Sequence, residues 1–428
     1  MKKAAIHTLG CKVNQYESEA MAELLQKEGY EIVPFEEKAD CYLINTCTVT
    51  SLSDRKSRQM IRRAKKKNPN ALLIVTGCYA QTAPEEIKKI PEVDLIIGTS
   101  KRNQLPELIK QAEKETLCAV EDIMQKREFE SIHITEYGPN RVRAFLKVQD
   151  GCDRYCSYCI IPYARGHVRS KPEEEVLAEV QTLANNGIKE VVISGIHTAS
   201  YGRDLKNTNL LQLVQKVHEI DGIQRIRLGS LEPICITELF VSALHQLNKF
   251  CPQFHLSLQS GCDATLKRMN RHYTAKEYEE GVSLLRNYFP GAGVTTDVMV
   301  GFAGETEADF QDSLRFVEQI GFSQIHVFPY SIRKGTKAAA FPNQIDPAEK
   351  ERRAAEMIGL GETLTKRFIE SKDNTKTTVL VEQEISPNLY EGYTPEYVRV
   401  HIPSEDHLTG TLKEVTLYSP QKDFIYGK

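Results

Sequence analysis

Between residues 141 and 370 one pattern recurs six times, and it limits the possible folds more than any other feature of the chain. Short apolar runs at 144–149, 190–194, 225–229, 255–259, 295–300 and 324–328 read as buried strands. Five helix-patterned stretches separate them, and a sixth, at about 347–370, follows the last. Six β/α units predict a parallel barrel two units short of the closed eight-stranded form, open along one side to a large substrate. Sites in such barrels form where strands end. The first run leads directly into Asp150-Gly151-Cys152-Asp153-Arg154-Tyr155-Cys156-Ser157-Tyr158-Cys159, a C-x3-C-x2-C spacing with no fourth cysteine near it. A closed zinc site needs four ligands and would have to recruit another group, His167 being the nearest. A [4Fe-4S] cubane held by three cysteines instead keeps one iron open to an outside ligand.

Polar residues gather at the other strand ends of this region. They include Gly195 and His197, Glu232, Gln259 and Asp297. Gly301 and Gly304 follow the fifth run, where glycine permits the close backbone approach that a nucleotide-like cofactor needs. Arg268 and Arg271 suit a carboxylate or phosphate, or a helix end. Cys235, Cys251 and Cys262 have no ligand partner in sequence and read as structural.

Residues 1–115 alternate strand-like runs (4–8, 41–45, 72–76 and 95–97) with helical segments (15–28, 52–67, 85–90 and 105–113), which predicts a parallel, Rossmann-like α/β domain. Asn14 and Glu17 have the spacing of a capping box at the first helix. Cys11, Cys47 and Cys78 fall at equivalent places, each a few residues after a strand. Ligand crevices of open α/β sheets lie outside the strands' carboxyl ends, so three thiols more than thirty residues apart could converge there. Buried free cysteines are also common core residues. A second three-cysteine cluster with an open iron is the sharper reading. Between Arg55 and Lys67 eight of thirteen residues are Lys or Arg and none is acidic. That helix is either a solvated face or a phosphate-tracking surface.

Residues 116–140, with Glu128, Glu130 and Gly138-Pro139-Asn140, lose periodicity and read as a linker. From 371 to 428 the pattern turns to period two with intervening turn signals, which predicts a small β-barrel of OB-like size. Tyr390, Tyr393 and Tyr397 beside Arg399 and His401 suit either RNA stacking or a structural cap.

The net charge of −3 excludes a chain that is basic throughout, so any nucleic acid must meet a local patch. Eleven cysteines, odd in number and irregular in spacing, argue against an extracellular disulfide framework. The start has no apolar segment after its two lysines, and no run approaches the roughly 18 apolar residues of a membrane span. A cytoplasmic protein that meets no membrane is expected.

The C-x3-C-x2-C loop is similar to the signature of the radical S-adenosylmethionine (SAM) superfamily, and nearly the whole chain resembles that superfamily's methylthiotransferases. Thr8-Leu9-Gly10-Cys11-Lys12-Val13-Asn14-Gln15-Tyr16-Glu17, His255-Leu256-Ser257-Leu258-Gln259-Ser260-Gly261-Cys262 and His326-Val327-Phe328-Pro329-Tyr330-Ser331 resemble the MtaB subgroup. The chain departs from the family at Ala303, where Gly-Phe-Pro-Gly-Glu is usual. It departs again at Lys334, where Arg-Pro-Gly-Thr is usual. The resemblance implies an N-terminal cluster domain, a partial (β/α)6 radical-SAM barrel and a C-terminal TRAM barrel that binds RNA. It also implies two [4Fe-4S] clusters, on Cys11/Cys47/Cys78 and on Cys152/Cys156/Cys159, and SAM as both methyl donor and radical source. The substrate implied is N6-threonylcarbamoyladenosine at position 37 in a tRNA anticodon stem-loop, converted to its 2-methylthio derivative. A monomer, a sulfur donor and an electron donor such as flavodoxin or ferredoxin complete the expectation. The alternatives are prenylated adenosine, a ribosomal-protein side chain, or a non-catalytic, zinc-dependent RNA-binding protein.

Overall fold

The computed structural model describes residues 1–135 and 141–428. Gly138, Pro139 and Asn140, read above as part of a linker, lie outside the described residues.

The first sheet comprises β1 (Lys2–Thr8), β2 (Tyr30–Val33), β3 (Cys41–Thr46), β4 (Leu72–Gly77), β5 (Leu95–Ile96) and β6 (Leu117–Cys118). All are parallel, in the order β2-β1-β3-β4-β5-β6. The central strands are buried on both faces, which is why they read as unbroken apolar runs. The four expected strands are present. The edge strands β2 and β6 escape pattern reading because they are short and partly exposed. Since β6 belongs to this sheet, the segment read as a linker starts inside the domain. It then packs Ile132 and Ile134 against Tyr16 and Ala20 of helix α1 (Lys12–Lys27).

The middle region holds β7 (Arg143–Asp150), β8 (Arg169–Ser170), β9 (Glu190–Gly195), β10 (Arg225–Leu228), β11 (Gln253–His255), β12 (Gly293–Val300) and β13 (Gln324–Pro329). Strands β7, β9 and β10 run parallel side by side, as do β11, β12 and β13, and parallel bridges from Ile226 to Phe250 and Leu231 to Leu256 join the two groups. The result is the expected six-unit partial barrel, with β8 added as a short antiparallel edge. One continuous apolar core fills the space between strands and outer helices.

The C-terminal strands β14 (Lys376–Ser386), β15 (Leu389–Tyr393), β16 (Arg399–Pro403), β17 (Leu412–Tyr418) and β18 (Ile425–Gly427) close into a small barrel. It docks where β7 and β10 of the middle barrel begin, and its Tyr397 lines the same cavity as the cysteine loop. Arg225 donates to the Tyr393 and Thr378 carbonyls, and Arg227 to those of Pro395 and Thr394, at 2.6–2.8 Å. This docking uses Tyr393 and Tyr397, two of the side chains that suit RNA stacking. Tyr397 stacks on Tyr393 with centroids 4.6 Å apart and lies under the guanidiniums of Arg143 and Arg227. Tyr390 is buried, and His401 stacks on Phe424.

Candidate active site

Strands β1, β3 and β4 are adjacent and in register, so their carboxyl ends form one rim. Cys11 sits immediately before α1, Cys47 follows β3, and Cys78 opens the short helix α3 (Cys78–Thr82). Two of the three are preceded by glycine for a steric reason. At Gly77 (φ +96°) an added Cβ would lie 2.4 Å from the Asn45 side chain. At Gly10 (φ +106°) it would lie 3.2 Å from Cys47 Sγ. Cys11 acts electrostatically on Cys47, and Cys11 and Cys47 both act on Cys78. The three strand ends that lead into these cysteines thus lie side by side.

Asn14 and Glu17 form no capping box. The N-cap is Cys11, without a side-chain cap. Asn14 Nδ2 donates to the Leu9 and Thr46 carbonyls at 2.7 and 3.0 Å, tying the Cys11 turn to the strand end before Cys47. Glu17 is fully buried among Arg102, Lys147 and Arg165. Cap geometry gave way because a buried carboxylate surrounded by three cations is held far more strongly than an exposed end.

The second triad lies across the domain boundary. Cys152, Cys156 and Cys159 line a cavity of about 630 Å³ together with Cys11, Gly195, His197, Glu232, Gln259, Arg271 and Asp297. Glu232 accepts from Arg154, stands 3.1 Å from His197 Nε2 and 3.7 Å from Arg271. Burial opposes ionisation of Glu232, but His197 and the two guanidiniums outweigh it and hold its pKa near 2. Arg271 donates to Cys156 Sγ at 3.3 Å, so it touches the triad itself. Asp297 faces His255 at 3.4 Å. Gln259 holds φ +68°, a strained conformation for a residue with a side chain. Gly301 and Gly304 do not line the cavity. Gly301 packs on Lys350 and Gly304 on Arg268, so these glycines shape a turn behind the site.

Sequence reading missed Arg165, on the short helix Ile161–Arg165 that follows the triad loop. It reaches the other triad and donates from Nε to Cys78 Sγ at 3.3 Å, while also bonding Asn14 and Glu17. An isolated arginine gives no pattern. The one available signal was its place directly after the triad loop.

The donor types suit iron–sulfur ligation. Each set consists of three thiols, and one thiol of each takes a hydrogen bond from a guanidinium, the kind of contact that supports an anionic ligand sulfur. Among the described residues no three His, Cys, Asp or Glu side chains gather tightly enough to share one ion. A cubane asks for something different, one thiolate on each of three irons. Burial pushes the thiols of Cys152 and Cys78 up to about 11 and 12, and raises Cys47 and Cys159 as well. Such thiols are poor nucleophiles at neutral pH and lose their protons only to a bound metal.

A cysteine loop of this spacing at the strand ends of an open six-unit barrel defines a radical-SAM enzyme, and residues 146–317 match the Radical SAM superfamily. Residues 3–98 match an uncharacterized protein family, UPF0004. The chain is 41% identical over 424 residues to the threonylcarbamoyladenosine tRNA methylthiotransferase MtaB of Bacillus subtilis, covering 97% of this chain and 94% of that protein. It is 35% identical to the MtaB of Thermotoga maritima, covering 93% and 91%. It is 34% identical to the tRNA-2-methylthio-N(6)-dimethylallyladenosine synthase of Moorella thermoacetica, covering 100% and 98%. Among solved structures, the radical SAM methyltransferase TsrM of Kitasatospora setae shares the fold, with a TM-score of 0.56 at 14% identity, covering 90% of this chain and 80% of that one. The chain belongs to the MtaB-type methylthiotransferases of the radical-SAM superfamily. Membership brings a [4Fe-4S] cluster and SAM as cofactors.

Proposed function

We propose that this enzyme converts N6-threonylcarbamoyladenosine at position 37 of tRNA to its 2-methylthio derivative and holds two [4Fe-4S] clusters to do so. The observation that carries this reading is the single cavity onto which both cysteine sets open, Cys11 from one domain and Cys152, Cys156 and Cys159 from the other. An adenine C2–H bond yields to no acid, base or thiolate. Bound clusters and SAM would supply the radical chemistry, the sulfur and the methyl group.

The chain's own residues have separate tasks. Cys11, Cys47 and Cys78 would hold one cluster, and Cys152, Cys156 and Cys159 the other. Gly195, His197, Glu232, Gln259, Arg271 and Asp297 surround the second triad and are the candidates to orient SAM. The open side of the barrel admits a base unstacked from an RNA loop. Helix α2 (Ser51–Lys67) presents Arg55, Lys56, Arg62 and Lys66, all exposed and without an ion-pair partner among the described residues. These suit the phosphates of an anticodon stem-loop. By contrast Arg63 and Lys67 are held by Glu36, and Lys65 by Asp94.

The test is anaerobic turnover, with SAM and a low-potential reductant, on anticodon stem-loops carrying threonylcarbamoyladenosine or dimethylallyladenosine. Mass spectrometry should find the methylthio group only on the threonylcarbamoyl nucleoside. Product from the dimethylallyl RNA instead would overturn the assignment.

A further inference from the structure

The cavity is lined by five cationic side chains, and four of them are already matched. Arg154 and Arg271 face Glu232, while Arg143 and Arg227 face Glu190. The cavity's other carboxylate, Asp297, faces His255. The fifth cation, Lys12, makes no hydrogen bond or ion pair among the described residues, and the pull of Glu190 on it is outweighed by burial and by Arg143 and Arg227. Its ammonium stands 5.4 Å from the centre of the Phe145 ring and lines the cavity. A cation so placed, with its counter-anion missing, is a site for an anionic group of whatever enters.

We propose that Lys12 binds the carboxylate carried by the N6 substituent of the substrate adenosine, and so selects an amino-acid-derived substituent over an apolar one. This rests on the function proposed above. Connectivity within the base supports it. In adenine C2 and C6 flank the same atom, N1, so whatever grips a substituent on N6 must stand beside whatever faces C2. Lys12 is the chain neighbour of Cys11, the one thiol of its set that lines the cavity. His326, near enough to Lys12 to feel its charge, and Gln324 line the same cavity and offer further polar contacts to a ureido or hydroxyl group. The same ammonium could instead meet a backbone phosphate. The two sources separate cleanly, because every stem-loop carries the phosphates and only the modified one carries the carboxylate.

The experiment is equilibrium binding of stem-loops to the cluster-loaded enzyme without SAM, comparing threonylcarbamoyladenosine with plain adenosine at position 37. Wild type should prefer the modified RNA. Lys12→Met should lose about tenfold or more for that RNA alone, as expected for a charge-assisted hydrogen bond, and Lys12→Arg should keep most of the preference. An equal loss for both RNAs would assign Lys12 to phosphate and overturn the proposal, and so would no loss for either. A second measurement needs no variant. The methyl ester of the threonylcarbamoyl group should bind wild type about tenfold more weakly than the acid, and equal binding would overturn the proposal. If wild type shows no preference for the modified RNA, the functional reading has failed rather than the role of Lys12 within it.

Discussion

Arg165 Nε donates to Cys78 Sγ at 3.3 Å, and through this contact the segment that follows one cysteine triad grips a member of the other. The same guanidinium bonds Asn14 Oδ1 at 2.6 Å and both oxygens of Glu17, all three partners belonging to the N-terminal domain. Two sites from separate domains are thereby fixed relative to each other by one fully buried side chain.

Arg165→Met therefore removes a central cation from a buried network and leaves Glu17 under-compensated. Breaking one partner of a buried ion pair costs about 3–5 kcal/mol. Arg165→Lys keeps the charge but loses the fork that reaches Cys78, Asn14 and Glu17 together. Denaturant unfolding should rank wild type above the lysine variant and the lysine variant above methionine. A methionine variant as stable as wild type would mean that the domains are held together elsewhere.

The same network sets a pH window. Burial opposes ionisation of Glu17, but Arg102, Arg165 and Lys147 overcome it and bring its pKa down from 4.5 to about 2. Glu232 shifts in the same direction. A carboxylate whose folded pKa is depressed contributes its full stability above the unfolded value and loses it as pH falls through the folded one. Unfolding free energy should thus be flat above about pH 5 and fall between about pH 4.5 and 2. Glu17→Gln should shrink the acid slope by up to about 1.4 kcal/mol per pH unit, one proton's worth. An unchanged slope would mean that Glu17 does not carry this loss.

Helix α2 gives a prediction about RNA. Substituting Arg55, Arg62 and Lys66 with Gln should weaken stem-loop binding regardless of the base at position 37. The slope of log affinity against log salt should fall by about two to three. These three residues are seven and four apart and share one helix face. Arg63→Gln, at a position already paired with Glu36, should change that slope far less. Equal effects at paired and unpaired positions would argue against a specific phosphate surface.

The parts of this molecule legible in sequence were those fixed by local period and covalent spacing. Six apolar runs gave six barrel strands, and C-x3-C-x2-C gave a loop that lines the cavity. The placement of Cys11, Cys47 and Cys78 on neighbouring strand ends was also legible, because parallel connections return every strand end to the same rim. What stayed hidden depends on tertiary pairing. Asn14 and Glu17 have capping-box spacing, yet cations from elsewhere in the chain pull them inward. Gly301 and Gly304 look like cofactor glycines, yet Lys350 and Arg268 cover them. Tyr397 has the composition of an RNA platform, yet Arg143 and Arg227 occupy its faces. At Glu17 and Tyr397 a long-range charge or ring contact outweighs a local preference worth no more than about one or two kcal/mol.

Iron content gives the most direct reading of the two cysteine sets. After anaerobic reconstitution wild type should hold about eight irons and a matching amount of acid-labile sulfide per chain, two cubanes' worth. Combining Cys152→Ala, Cys156→Ala and Cys159→Ala should leave about four, and combining Cys11→Ala, Cys47→Ala and Cys78→Ala should also leave about four. The two remainders should differ in character. The first variant keeps the cluster beside Arg165 and cannot cleave SAM, whereas the second keeps the one beside Arg271 and retains SAM cleavage without methylthiolation. About four irons in wild type, falling to none without Cys152, Cys156 and Cys159, would mean that Cys11, Cys47 and Cys78 converge without holding a cluster. The enzyme would then lack a second iron site from which to deliver sulfur.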